Sequence, residues 1–74
     1  MSDYHEDLSK MLRQVRKARG LSQREVAEAL HMNRSTYTYY ERARTLPDLL
    51  TLRKLADIFS IPPEDFFYPE KFIA

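Results

Sequence analysis

Residues 21–42, LSQREVAEALHMNRSTYTYYER, decide the fold because they hold two helix starts in quick succession. Ser22 and Glu25 have the S-x-x-E spacing in which each side chain accepts a hydrogen bond from an otherwise unpaired backbone N–H of the first turn, and Leu21 with Val26 flank them as a hydrophobic staple. A helix is predicted over about residues 23–30, with Ala27 small enough to let another helix approach closely. Asn33 then supplies a second N-cap, and Met32 is placed to pack on Tyr37. Only His31 and Met32 separate the first of these helices from the cap of the second. Spacing alone leaves two readings open, an ordinary helical hairpin and a helix-turn-helix unit whose second helix enters a DNA groove.

The faces of the second helix separate those readings. At 3.6 residues per turn, Asn33, Thr36, Tyr37, Tyr40 and Glu41 project together, and two aromatic rings qualify that face for a core. Arg34, Ser35, Thr38, Tyr39 and Arg42 project on the other side. Donors, acceptors, a methyl group and two guanidinium groups are the side-chain types that read base edges and hold phosphates.

Outward from this unit the chain continues in helices. Tyr4, Leu8, Met11, Leu12 and Val15 form the apolar stripe of helix 1, which ends near Arg19 where Gly20 can take a left-handed conformation. Its start is open between an Asp3–Glu6 capping box and a frayed turn followed by a start near Asp7. Helix 4 follows Pro47, with Asp48 as N-cap and Leu49, Leu52, Leu55, Ala56 and Phe59 on one stripe. Pro63 at a first helical position, followed by Glu64 and Asp65, sets up a fifth short helix that Tyr68 and Pro69 end. No segment alternates with period two, so the prediction is an all-α fold of five helices. It forms one domain over residues 1–74, with a core at about 8–68 and a short tail at 69–74.

Composition narrows the function. The 74 residues include no cysteine and two histidines (His5, His31), which argues against a metal centre, and one glycine (Gly20), which leaves no phosphate-cradling loop. No nucleophile and base stand at a plausible spacing, so neither an enzyme, a cofactor nor a small-molecule ligand is expected. The opening MSDYHEDL is acidic, and no apolar run approaches the roughly 20 residues that span a bilayer, so the expected location is the cytoplasm, away from membranes. The net charge of +1 hides a division. Residues 10–44 carry nine Lys or Arg against three Glu, a net of +6, between acidic flanks. That asymmetry fits an anionic partner and also a solvated charged surface.

Residues 12–67, LRQVRKARGLSQREVAEALHMNRSTYTYYERARTLPDLLTLRKLADIFSIPPEDFF, resemble the Cro-like, Xre-type helix-turn-helix domain of lambda-type repressors. The resemblance rests on the GLSQ-x-x-[LV]-A run at residues 20–27, the Arg34-Ser35-Thr36 opening, the Tyr40-Glu41-Arg42 exit and Pro47 before a leucine-striped helix. It implies a lambda-repressor-like domain in which helices 2 and 3 bind double-stranded DNA and regulate transcription. Position by position, Arg34, Ser35, Thr38 and Tyr39 fall at base-facing sites, and Gln23, Arg42 and Arg44 fall on the phosphate backbone. Arg16 and Glu41 correspond to a structural ion pair. His31 and Ala43 replace the family's usual glycines after helices 2 and 3, Tyr37 replaces a smaller aliphatic residue, and Pro62 replaces a capping serine.

Members of this family usually bind as two-fold dimers on half-sites roughly 34 Å apart, so a homodimer is expected. Its surface is expected among Phe66, Phe67, Tyr68, Phe72 and Ile73, which equally suit sealing the fifth helix onto helix 1. The competing function is a protein-interaction module on the same fold, antitoxin-like or coactivator-like.

Overall fold

Every α-helix begins on a side chain suited to its first turn. In the computed structural model, which describes residues 3–73, α1 (Tyr4–Ala18) starts at Asp3, whose carboxylate accepts from the His5 N–H at 2.9 Å. That bond reaches the second helical residue, so the Asp3 side chain does not join Glu6 in a capping box, and the helix begins at Tyr4 and not near Asp7. α2 (Gln23–Ala29) starts at Ser22 with both halves of its box formed, Glu25 N–H to Ser22 Oγ at 3.0 Å and Ser22 N–H to Glu25 Oε1 at 2.9 Å. α3 (Arg34–Glu41) starts at Asn33 and α4 (Leu49–Phe59) at Asp48, which accept from the N–H groups of Thr36 and Thr51. Bonds from the Thr51 backbone and side chain hold the exposed Asp48 carboxyl below its ordinary value.

The four helices also end alike. Gly20, His31, Ala43 and Ser60 all have φ between 57° and 70°. The residue after each donates to a carbonyl five positions back: Leu21 to Arg16, Met32 to Ala27, Arg44 to Tyr39 and Ile61 to Ala56. This is the bond that closes a helix once one left-handed residue has turned the chain. Only one of the four is glycine, so three turns hold a side chain where a Cβ costs free energy.

The described residues form four α-helices, and the fifth that the sequence leads one to expect is a 3-10 turn over Pro63–Phe67, followed by a second over Pro69–Phe72. Pro62 provides no capping side chain, and Pro69, which lacks an N–H and disfavours helical geometry at the residue before it, ends the stretch too soon for an α-helical ladder to build up. The stretch is held by three-residue bonds, Asp65 N–H to the Pro62 carbonyl at 3.1 Å and Tyr68 N–H to the Asp65 carbonyl at 3.1 Å.

α1 is the central beam. It packs against α3 and the second 3-10 turn, while α2 lies on α3 and α4 on the first 3-10 turn. Leu8, Met11, Leu12 and Val15 of α1 meet Val26, Ala27, Leu30, Tyr37, Leu55, Ala56, Phe59 and Phe66 in one core. Two polar contacts tie distant parts together. Tyr4 Oη donates to the Phe66 carbonyl at 2.8 Å, joining the two ends of the chain. Arg19 Nε donates to the Phe59 carbonyl at 2.7 Å, satisfying an acceptor at the end of α4.

Candidate nucleic-acid interface

The position of α3 is set by a carboxylate in the core. Glu41 is 1% exposed, and a buried charge is tolerated only when it is paired and hydrogen-bonded. Arg16 Nε donates to Glu41 Oε2 at 2.6 Å and Arg16 Nη2 to Oε1 at 3.1 Å, a two-pronged pair between α1 and α3. Tyr37 Oη, one turn earlier on α3, donates to Oε2 at 2.5 Å, and Gln23 Nε2 of α2 donates to Oε1 at 3.0 Å. Three helices therefore converge on one side chain. Arg16 also reaches the Leu21 carbonyl at 2.9 Å, and Arg13 donates to the Glu41 carbonyl, so α1 holds both the side chain and the backbone at the end of α3.

The electrostatics follow from this geometry. Burial pushes the Glu41 carboxyl up, while hydrogen bonds from Arg16, Tyr37 and Gln23 pull it down further, so its net position is below the ordinary value of 4.5. The hydrogen bond to Glu41 raises the Arg16 guanidinium despite its burial. Burial first, and then donation to Glu41, raise the Tyr37 hydroxyl well above the ordinary tyrosine range. Tyr37 has no exposed surface, and the hydroxyl it brings into the core has the partner it needs. Its ring meets Tyr40 edge-on, with centroids 6.1 Å apart.

The opposite face of α3 is different. Arg34, Ser35, Thr38, Tyr39 and Arg42 line one surface depression of about 270 Å³. Arg34 also borders a neighbouring depression of about 500 Å³ with Arg16, Ser22, Gln23 and Arg24. Arg34, Ser35 and Arg42 are exposed and Tyr39 is 44% exposed; none of their side chains makes a hydrogen bond or ion pair among the described residues. Thr38 is half-buried and donates to the Arg34 carbonyl at 2.8 Å. Gln23, at the first position of α2, is half-buried with one amide proton on Glu41, which leaves the other to an outside acceptor. Arg44 is exposed beyond α3, in the turn that Ala43 opens.

Phe66, Phe67, Tyr68, Phe72 and Ile73 divide into three environments. Phe66 belongs to the core, Phe72 packs against it from the second 3-10 turn, and Ile73 is half-buried. Phe67 and Tyr68 are exposed at 62% and 56%. Leu49, which the helix-4 stripe leads one to expect inside, and its neighbour Leu50 are exposed at 75% and 59%. They line an apolar groove of about 690 Å³ with Leu52, Arg53, Pro63, Glu64, Phe66 and Phe67. Sequence reading also missed Arg13 and Arg19, which stand in the basic segment but serve carbonyls at the ends of α3 and α4. Their spacing along and just beyond α1 resembles that of any solvated charge, so no local signal marks them.

Residues 12–66 match the HTH_3 helix-turn-helix family. The chain belongs to that family. Its relatives include the cryptic phage CTXphi transcriptional repressor RstR of Vibrio cholerae, 37% identical over 54 residues that make up 73% of this chain and 49% of the repressor. The HTH-type transcriptional regulator PuuR of Escherichia coli is 35% identical over 72 residues, 96% of this chain and 39% of the regulator. The chain thus spans about half or less of the length of these two relatives. Among solved structures, the restriction-modification controller protein C.AhdI of Aeromonas hydrophila superposes with a TM-score of 0.75 at 33% identity, covering 89% of this chain and all of that one. Among the described residues no helix is long and apolar enough to cross a membrane.

Proposed function

We propose that this chain is a sequence-specific double-stranded DNA binder that regulates transcription. In this reading Arg34, Ser35, Thr38 and Tyr39 face base edges, and Gln23, Arg42 and Arg44 hold phosphates. The observation that carries it is the unpaired polar face of α3, mounted on a helix whose other face is locked into the core. Two arginines whose guanidinium groups have no internal partner suit guanine edges and phosphate oxygens, which accept bidentate bonds. The three relatives support the regulatory part, being named as a repressor, a regulator and a controller protein.

A homodimer completes the reading, because one such module covers a single half-site. The groove between α4 and the first 3-10 turn suits a second copy of this chain. Arg53 stands on one wall and Glu64 on the other, so a two-fold contact can bring each arginine to the partner copy's glutamate around exchanged Phe67 rings.

The test is selection of bound duplexes from a random library, followed by a salt titration of the selected site. A two-fold symmetric consensus is expected, with log K falling against log salt by roughly 0.9 per neutralised phosphate. Equal affinity for random and selected duplexes at every salt concentration refutes the reading and favours a partner protein on α3. Sedimentation of Phe67→Glu checks the dimer surface, with the variant expected to remain a monomer at concentrations where the parent pairs.

A further inference from the structure

Within the outer face of α3, the two small hydroxyl side chains are in unequal states. The Ser35 hydroxyl makes no hydrogen bond among the described residues and remains both donor and acceptor. Thr38 has one proton and only acceptors on its inward side, the nearer being the Arg34 carbonyl at 2.8 Å, the bond from a helical threonine to the carbonyl four residues back. The same oxygen faces Gln23 Oε1 at 3.5 Å, and that amide cannot turn its nitrogen toward Thr38 without withdrawing a donor from the buried Glu41 carboxylate. The Thr38 oxygen is therefore directed at the backbone of its own helix and at α2. The other substituents on its Cβ are a methyl group and a hydrogen, and the residue borders the depression shared by Arg34, Ser35, Tyr39 and Arg42.

We infer that Thr38 reads DNA through its methyl group, selecting the C5-methyl of a pyrimidine, and not through its hydroxyl. This rests on the DNA-binding reading of α3. A thymine carries that methyl in the major groove and an unmodified cytosine does not, so apolar contact there discriminates between bases without any hydrogen bond. The core carboxylate Glu41 bears on this at a distance, because it holds the Gln23 nitrogen and so leaves the Gln23 oxygen as a second acceptor on the inward side of the Thr38 hydroxyl. Ser35, with its hydroxyl unengaged, is left to the donor and acceptor code.

The experiment uses the duplex selected by the full chain and replaces its thymines with deoxyuridine one at a time, which removes only the C5-methyl. One position per half-site is expected to weaken binding about fourfold, the equivalent of a single buried methyl group. Thr38→Val, which keeps the methyl and lacks the oxygen, should retain that response, and Thr38→Ser, which keeps the oxygen and lacks the methyl, should bind the thymine and deoxyuridine duplexes equally. Replacing the paired thymine by 5-methylcytosine should recover more affinity than cytosine does, for the parent but not for Thr38→Ser. The inference alone is overturned if the parent and Thr38→Ser respond identically to every deoxyuridine, or if Thr38→Val loses the response while Thr38→Ser keeps it. If no duplex can be selected, the DNA reading falls and this inference falls with it.

Discussion

The two faces of α3 are built from similar residue types and end in opposite states. On the inner face, Tyr37 and Glu41 are buried, and every polar atom they bring has a partner from α1, α2 or α3 itself. On the outer face, Arg34, Ser35, Tyr39 and Arg42 have no side-chain partner among the described residues. An arginine buried against a carboxylate and an arginine left in water differ in what their loss does. Removing the first strands a charge in the core, while removing the second leaves the fold intact and withdraws a contact from whatever docks there. The helix is thus anchored on one side and solvent-facing on the other, and the two faces should respond to different measurements.

The largest expected effect lies on the inner face. Glu41→Ala leaves the Arg16 guanidinium and the Tyr37 hydroxyl without their shared acceptor, and should cost about 3–5 kcal/mol in a denaturant melt, the range for breaking a buried pair by removing one partner. The same carboxylate governs the response to acid. Its value in the folded chain lies below 4.5, so its stabilising contribution is complete above that pH and is lost as pH falls through the folded value. Tyr37 is displaced the other way, and its contribution is present below pH 10 and lost on deprotonation above it. Melts across pH should show stability declining at both extremes, with the acid limb flattened in Glu41→Gln. An unchanged acid limb in that variant places the titrating group elsewhere.

On the outer face the expected loss is smaller and appears only with DNA present. Arg34→Ala should cost about 1–3 kcal/mol on the selected duplex and relax preference at one base pair, with the melting temperature nearly unchanged. An equal loss on every sequence makes Arg34 a phosphate contact, and a lowered melting temperature erases the distinction between the faces. The smallest effect concerns the exit of the helix. Ala43 has φ 57°, a region where a Cβ costs roughly 1–2 kcal/mol and glycine does not. Glycine loses about 0.5–1 kcal/mol more chain entropy on folding, so Ala43→Gly should raise stability by about 0.5–1 kcal/mol, read from the melt midpoint.

Local chemistry made much of this molecule legible. The caps at Ser22, Asn33 and Asp48 lie within three residues of the N–H groups they serve, so short-range spacing suffices to place α2, α3 and α4. The fifth helix failed for a reason also written locally, since Pro62 supplies no cap and Pro69 ends the stretch within two turns of Pro63, and acidic residues in a first turn make up for neither. The left-handed residue at Ser60 was not foreseen because serine carries no mark of that conformation. Of the five C-terminal residues offered as a dimer surface, Phe66 lies in the core, since aromatic content does not reveal which rings one domain can cover.

From its sequence alone this chain is a set of capped amphipathic helices, with a polar face on the third that suits an anionic partner, because 3.6-residue periodicity and N-caps act over one or two turns. Which of the arginines other than Arg16 find an acceptor inside the fold was decided only in three dimensions. Arg13 and Arg16 lie in one helix and Arg19 caps its end, and α1 carries them to acceptors 28, 25 and 40 residues away. The guanidinium groups of Arg34 and Arg42 make no hydrogen bond or ion pair among the described residues. A guanidinium group looks the same in sequence in either role, and its partner is chosen by the packing of helices that touch only after the chain has folded.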